Sequence, residues 1–229
     1  MSKFYVVATP IGNLEDVTFR AVGVLSAVDL ILCEDTRVTA RLLERYQITT
    51  PVLSYHAQSA FSKLEKVLGL IEDGKTLALV SDAGTPTISD PGVLLVSKIR
   101  EKLPETEIIA VPGPSALAAA LSISGLPASD FLFLGFLPHK KGRETLFKEI
   151  ASSKRTTVFY ESPHRIMKAL ESLKTHLEAR PPSGRKIVVA RELTKVFEEV
   201  FAGTPEEAKS YFDKNPDKVR GEFVVLVGV

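Results

Sequence analysis

The residues best suited to chemistry in this chain stand in short polar stretches, each placed directly after an apolar run. Glu34-Asp35-Thr36-Arg37 follows Asp29–Cys33, and Ser81-Asp82-Ala83-Gly84-Thr85-Pro86-Thr87-Ile88-Ser89-Asp90-Pro91-Gly92 follows Thr76–Val80. Thr9-Pro10-Ile11-Gly12-Asn13 follows Phe4–Ala8, and Pro112-Gly113-Pro114-Ser115-Ala116 follows Glu107–Val111. Glycines in such stretches permit close backbone approach, prolines stiffen the chain, and carboxylates accept hydrogen bonds. This lining suits a ligand that carries positive charge, hydroxyls and a flat apolar ring. A plainer interpretation stands beside it: Gly and Pro punctuate ordinary turns, and Asp90-Pro91 is a good helix start with Asp90 as N-cap.

Several other chemistries lack their residues. There is no G-x-x-x-x-G-K-[ST] phosphate loop, no G-x-G-x-x-G after the first apolar run, and no G-x-S-x-G elbow. The four histidines (His56, His139, His164 and His176) lack zinc-ligand spacing, and no metal site is expected. One cysteine, Cys33, excludes an intrachain disulfide and suits a reducing compartment. A net charge of +1 over 229 residues argues against a global basic field, so any nucleic-acid contact must be a local patch. No signal-peptide pattern or membrane-length apolar run is seen, and a cytoplasmic protein is expected.

The elements that must position these stretches alternate. Strands are expected at Phe4–Ala8, Asp29–Cys33, Thr76–Val80 and Glu107–Val111. Helices are expected over Thr18–Ala27, from the Glu34–Arg37 stretch to about Arg45, and over Gln58–Asp73, whose apolar face is Phe61, Leu64, Val67, Leu68 and Ile71. Others are expected from Val93 to Leu103 and around Leu117–Leu121. This alternation argues for a mostly parallel α/β sheet with four polar loops on one edge. In such a sheet, ligands bind beyond the carboxyl ends of the strands.

The second half repeats the pattern. Phe131–Pro138 is a strand and its exit, followed by the basic stretch His139-Lys140-Lys141-Gly142-Arg143 and a helix to about Ser152. Thr156–Tyr160 is a strand, then Ser162 is an N-cap with Pro163 at the first helical position, and Arg180–Gly184 is a turn. Lys186–Arg191, Val196–Ala202 and Glu222–Val227 are strands, and Thr204-Pro205-Glu206-Glu207 is a capping box opening a helix to about Asp213. The short Glu192–Lys195 turn implies an antiparallel pair, so this sheet is expected to be mixed. The expected domains are 1–113 and 114–229, with a ligand cleft between them.

Taken together, Thr9-Pro10-Ile11-Gly12-Asn13-Leu14, Glu34-Asp35-Thr36-Arg37, Ser81-Asp82-Ala83-Gly84-Thr85-Pro86 and Pro112-Gly113-Pro114-Ser115 resemble the tetrapyrrole-methylase superfamily. Gly135-Phe136-Leu137-Pro138, Tyr160-Glu161-Ser162, His164-Arg165 and Arg191-Glu192-Leu193-Thr194-Lys195 extend the resemblance over nearly the whole chain. Within the superfamily they resemble the ribosomal RNA small-subunit methyltransferase I group. The resemblance implies two α/β domains of tetrapyrrole-methylase type, S-adenosylmethionine in the cleft, and a homodimer. It implies 2′-O-methylation of a cytidine in small-subunit (16S) ribosomal RNA near the decoding centre, acting on the RNA or the assembled subunit. Residue by residue, it places Pro10, Asp82, Ala83, Gly84, Thr85, Ile88, Ser115, Ala116, Glu161 and Leu193 at the cofactor. Thr85 stands where tetrapyrrole enzymes commonly have Asp, and T-P-I-G-N replaces their G-x-G-P-G-D; both departures favour the RNA group.

A 2′-hydroxyl is a weak acid, so a positioned carboxylate can take its proton as the new bond forms. Glu34 or Asp35 is expected to do so; the same residues can instead pair with Arg37 or cap the following helix. RNA contact is expected from Arg37, His139, Lys140, Lys141, Arg143 and Arg165, although basic runs commonly only solvate a surface. The rivals are a tetrapyrrole (corrin or sirohaem) methyltransferase and a non-enzymatic nucleotide-binding module.

Overall fold

A computed structural model describes residues 2–56, 60–90, 92–179 and 185–229, with side chains omitted at 60–62. The chain forms two compact α/β units, Met1–Ser115 and Ala116–Val229.

The first unit alternates strictly. Its strands are β1 (Lys3–Val7), β2 (Leu30–Cys33), β3 (Val52–Ser54), β4 (Leu77–Leu79) and β5 (Glu107–Val111), in spatial order β3-β2-β4-β1-β5. Every pairing is parallel. Helices α1 (Phe19–Ala27) and α2 (Thr36–Arg45) cover one face, where Ile31, Cys33, Ala78 and Val80 meet Ala21, Leu25, Leu42 and Leu43. Helices α3 (Ala60–Glu72) and α4 (Val93–Lys102) cover the other, where Leu32, Leu77 and Leu79 meet Val67, Leu68, Ile71, Leu95 and Ile99. Successive side chains of β2 and β4 thus enter opposite cores, which is why these strands are apolar at every position.

The strand order fixes where a crevice opens. From β2 the chain runs outward to β3, and from β4 it runs the opposite way to β5. The exits of these neighbouring strands diverge onto opposite faces, so a topological switch point lies between their carboxyl ends. Glu34–Arg37 and Ser81–Gly92 are those two exits.

The second unit opens with α5 (Ala116–Ser124), which packs on β10. Its strands are β6 (Phe131–Phe136), β7 (Thr156–Glu161), β8 (Ile187–Arg191), β9 (Glu199–Gly203) and β10 (Phe223–Val227), in order β6-β7-β10-β8-β9. The β6–β7 pair is parallel and the rest antiparallel, giving a mixed sheet. Helices α6 (Arg143–Ser152), α7 (Ile166–Glu178) and α8 (Pro205–Lys214) cover one face through Phe147, Ile150, Leu170, Leu173, Ala208 and Phe212. The Thr204 capping box forms with both reciprocal hydrogen bonds.

Four local expectations change. Strand β3 was not anticipated, being three residues on a sheet edge, too short to show a period. Helix α7 starts at Ile166 rather than after Ser162: Arg165 and Ile166 N–H both donate to the Ser162 carbonyl, a tight turn that delays the helix. Strand β9 starts at Glu199, because Lys195 N–H donates to Glu192 O and Glu198 N–H to Lys195 O, extending the turn over Val196 and Phe197. Helix α4 has Gly92 at its N-cap, while Asp90 accepts from Gly92 N–H at 2.7 Å just ahead of it. Residues 57–59, Pro91 and the expected turn at 180–184 lie outside the described residues, as does the Phe61 side chain. Among the described residues, no helix is long and apolar enough to cross a membrane.

Candidate active site

Three carboxyl-edge loops of the first unit are tied into one floor. Thr9 and Gly84 exchange backbone hydrogen bonds of 2.9 and 3.0 Å, an isolated antiparallel bridge between the exits of β1 and β4. Thr9 Oγ1 donates to Ser81 O at 3.1 Å, and Thr85 Oγ1 donates to Pro114 O at 3.2 Å, bringing in the exit of β5. Gly84 has φ +79°, and a Cβ there would meet Ile11 Cγ2 at 3.4 Å. A side chain at Gly113 would press on Ala8 Cβ at 3.1 Å. These glycines are required because three backbones converge here. Pro10 and Gly84 are buried in this floor, whereas Asp82, Ala83 and Ile88 are exposed above it.

Beside the floor, at the switch point, four carboxyl groups gather. Asp35 caps α2: its side chain accepts from Arg37 N–H at 2.8 Å and pairs with the Arg37 guanidinium at 2.6 Å. Those Arg37 bonds hold the Asp35 carboxyl down at about 2. Asp35 N–H in turn donates to Asp82 Oδ1 at 3.0 Å, linking the exits of β2 and β4.

Glu34 is treated in the opposite way. Partial burial, a hydrogen bond shared with the Asp90 carboxyl, and the negative charges of Asp90 and Asp82 raise it to about 7. Burial and the nearby Asp35 and Asp90 raise Asp82 as well. Asp90 Oδ1 accepts from Gly92 N–H, but Asp90 Oδ2 is buried without a donor. A proton on Glu34 can be donated to the Asp90 carboxyl, which favours the protonated form of Glu34. The loop delivering Asp90 folds back through Thr87 and Ser89, whose φ values of 72° and 60° lie in the region glycine usually occupies. Among the described residues, no group of three or more His, Cys, Asp or Glu is arranged to hold a metal ion.

Sequence reasoning brought Glu34, Asp35 and Asp82 to this place but assigned Asp90 only as a cap. The one available signal was its position in the same carboxyl-edge loop as Asp82.

The second unit gathers its own set at the carboxyl ends of β6, β7 and β8. Glu161, at the end of β7, has a fully buried side chain. It pairs with Arg143 at 2.8 Å and Arg165 at 2.8 Å, and accepts Ser162 N–H at 2.9 Å. Arg143 also donates to Pro138 O at 3.3 Å, and Arg165 to Leu137 O at 2.8 Å. Glu161 was expected at the cofactor and the two arginines at RNA; the structure ties the three to one another. Leu193 is buried two residues past Arg191, which shares with Glu161 the β10 partner Phe223. His139, Lys140 and Lys141 are exposed ahead of α6, and Arg37 is exposed on α2. Ser115 closes the first unit and Ala116 opens the second, at the start of α5.

A parallel α/β unit with a glycine-lined floor and an acid-lined switch point, followed by a mixed α/β unit, has clear relatives. Residues 3–209 match the family of tetrapyrrole (corrin/porphyrin) methylases. The chain is 44% identical over 227 residues to ribosomal RNA small subunit methyltransferase I of Thermotoga maritima, covering 99% of this chain and 98% of that one. It is 46% identical over 228 residues to the protein of the same name from Synechocystis, covering 99% and 79%. In fold it is similar to the crystal structure of the methyltransferase CobJ, with a TM-score of 0.72, 22% identity and coverage of 100% and 94%. The chain belongs to the tetrapyrrole methylase family and, within it, to the ribosomal RNA small subunit methyltransferase I group.

Proposed function

We propose that this chain methylates the 2′-hydroxyl of a cytidine in small-subunit ribosomal RNA, near the decoding centre, using S-adenosylmethionine. The reading extends to a homodimer acting in the cytoplasm. The observation that carries it is Glu34: a carboxyl raised to about 7, beside a glycine-built floor, in a chain closely similar to ribosomal RNA methyltransferases.

The residues present fit the cofactor. Glu34, Asp82 and Asp90 make the switch point acidic, which suits a ligand with sulfonium and ammonium charges. Pro10, Ala83, Gly84, Thr85 and Ile88 would hold the cofactor from the exits of β1 and β4, with Ser115 and Ala116 following β5. When bound, it supplies a methyl group on a positively charged sulfur, open to displacement by an oxygen.

The work of the chain is then positioning and proton removal. Glu34 in its ionised form accepts the proton that the 2′-hydroxyl loses as its oxygen takes the methyl group. Once protonated, Glu34 donates a hydrogen bond to Asp90. Asp35, held low by Arg37, is a poor base; it orients Arg37 and fixes Asp82. Lys140, Lys141 and Arg37 offer exposed cations to the RNA backbone, and His139 an exposed hydrogen-bonding ring. Arg143, Arg165 and Glu161 hold the loop that carries the lysines.

The test offers labelled S-adenosylmethionine with small ribosomal subunits, with bare ribosomal RNA, and with a tetrapyrrole. Label at a cytidine ribose of the RNA is expected. Label on the tetrapyrrole alone would establish the superfamily's other chemistry, and label on none would leave a binding module.

A further inference from the structure

Strand β6 contains an irregularity with a chemical consequence. Phe133 pairs with Val158 and Phe136 with Tyr160, so β6 spends three steps where β7 spends two. The extra residue is absorbed at Leu134-Gly135, with Gly135 at φ +61°. In a regular strand, Phe133 and Phe136 would point to opposite faces. The bulge brings both to one ring: their centroids lie 5.1 and 5.3 Å from that of Tyr160. Phe133 and Tyr160 are half-buried, but Phe136 is 57% exposed at the end of a sheet-edge strand.

The residues after Phe136 are held just as specifically. Leu137 is buried and Pro138 half-buried, and then His139, Lys140 and Lys141 are all exposed. The carbonyls of Leu137 and Pro138 are gripped by Arg165 and Arg143, both anchored on buried Glu161. An exposed ring, an exposed histidine and two exposed lysines are therefore held in fixed order along one stretch. A sulfonium ligand at the ring would be repelled by the two lysines. A flat base joined to a phosphate chain suits both parts: the base stacks on the ring and the phosphates meet the lysines.

We propose that Phe136, backed by Tyr160, is a stacking platform for an unpaired base of the substrate RNA, with His139, Lys140 and Lys141 holding the adjoining phosphates. This rests on the reading of the chain as an RNA methyltransferase. It assigns the Glu161–Arg143–Arg165 cluster a positioning role, keeping platform and cations in register.

The chain contains no tryptophan, so Phe136→Trp introduces a single indole reporter. Titration with an unstructured cytidine-rich RNA oligonucleotide is expected to quench its emission, while a duplex of the same length quenches far less. Phe136→Ala and Phe136→Leu, the second keeping apolar bulk without a flat face, are each expected to weaken single-strand binding by about 5- to 100-fold. Their salt slope should stay unchanged, whereas Lys140→Ala with Lys141→Ala should flatten it. Unquenched Trp emission at saturating RNA, with Phe136→Leu binding as wild type, would overturn the platform and leave the methyltransferase reading intact. So would loss of S-adenosylmethionine affinity in place of RNA affinity, or dissociation of a dimer in sedimentation. Wild-type protein that neither binds nor methylates ribosomal RNA would instead remove the underlying reading.

Discussion

Glu34 and Glu161 occupy corresponding places in the two units, one just past the end of a strand, the other at its last residue, both at a carboxyl edge. Their surroundings are opposite. Glu161 is fully buried and meets two guanidiniums and a backbone N–H, so its charge is compensated on every side. Glu34 is partly buried and meets Asp90 and Asp82, so its charge is opposed. The first arrangement fixes a loop; the second leaves a carboxyl ready to exchange a proton near neutral pH. In this chain the well-satisfied acid is Glu161, and the frustrated one is the acid proposed here as the base.

Removing the satisfied charge should have the largest effect. Glu161→Gln leaves Arg143 and Arg165 without a countercharge at side-chain exposures of 11% and 16%. The second unit is expected to lose about 3 kcal/mol or more, read from its unfolding midpoint in urea. A loss under about 1 kcal/mol would show that the cluster is dispensable and the contrast with Glu34 overstated.

Next in size is the rate effect of Glu34→Gln. Single-turnover methyl transfer to ribosomal RNA should fall by about 100-fold or more at pH 8. The wild-type rate should climb with pH up to about 7, where Glu34 ionises, and level off above it. The variant should lack that inflection. A retained inflection would move the base elsewhere.

The same substitution should act on stability in the opposite direction. The folded pKa of Glu34, about 7, lies above its ordinary 4.5, so between those values the folded protein binds more protons than the unfolded one. Stability therefore falls as pH rises through this window, and Glu34 ionised at pH 8 opposes folding. Glu34→Gln should raise the stability of the first unit at pH 8 by on the order of 1–2 kcal/mol, allowing for solvent screening of a partly exposed group. The gain should fade toward pH 4.5. A loss of stability at pH 8 would show that the Asp90 contact is attractive rather than strained.

How much of this was legible in the sequence depends on the kind of signal each feature leaves. The parallel first sheet was legible because its inner strands are apolar on both faces and end in polar loops. The α8 capping box was legible because it lies in four consecutive residues. Strand β3 was not, since Val52–Ser54 is too short to show a period and its pairing comes from Ile31–Cys33. The acid site was legible as a place, because carboxyl-edge loops converge in any such sheet. The division of labour within it was not. Asp90 accepts from Gly92 N–H just ahead of α4 and also faces Glu34, and spacing in the sequence cannot show that one carboxyl meets both. The His139–Arg143 run looked uniformly basic, yet Arg143 reaches back to Glu161 across a distance only folding can close. The pairing of Glu161 with Arg165 did leave a trace, an i,i+4 spacing, but it spans a turn rather than a helix.

The smallest effect should come from Asp35→Asn, and for that reason it is the sharpest. Asp35 was expected on equal terms with Glu34 as the base, one residue away in the same loop. Asn caps helices about as well as Asp, so the bond to Arg37 N–H survives. What is lost is an ion pair with an Arg37 side chain that is 87% exposed, a contact that water and salt already screen. The Asp35 backbone N–H still reaches Asp82. The melting temperature should be indistinguishable from wild type, and the single-turnover rate should stay within a few-fold. Its pH profile should keep the inflection near 7, because Glu34 and Asp90 remain. A collapse of the rate in Asp35→Asn, with Glu34→Gln near normal, would reverse the assignment within the pair. The ionised acid held by Arg37 would then be the base, and the Glu34–Asp90 contact would serve only to keep the switch point folded.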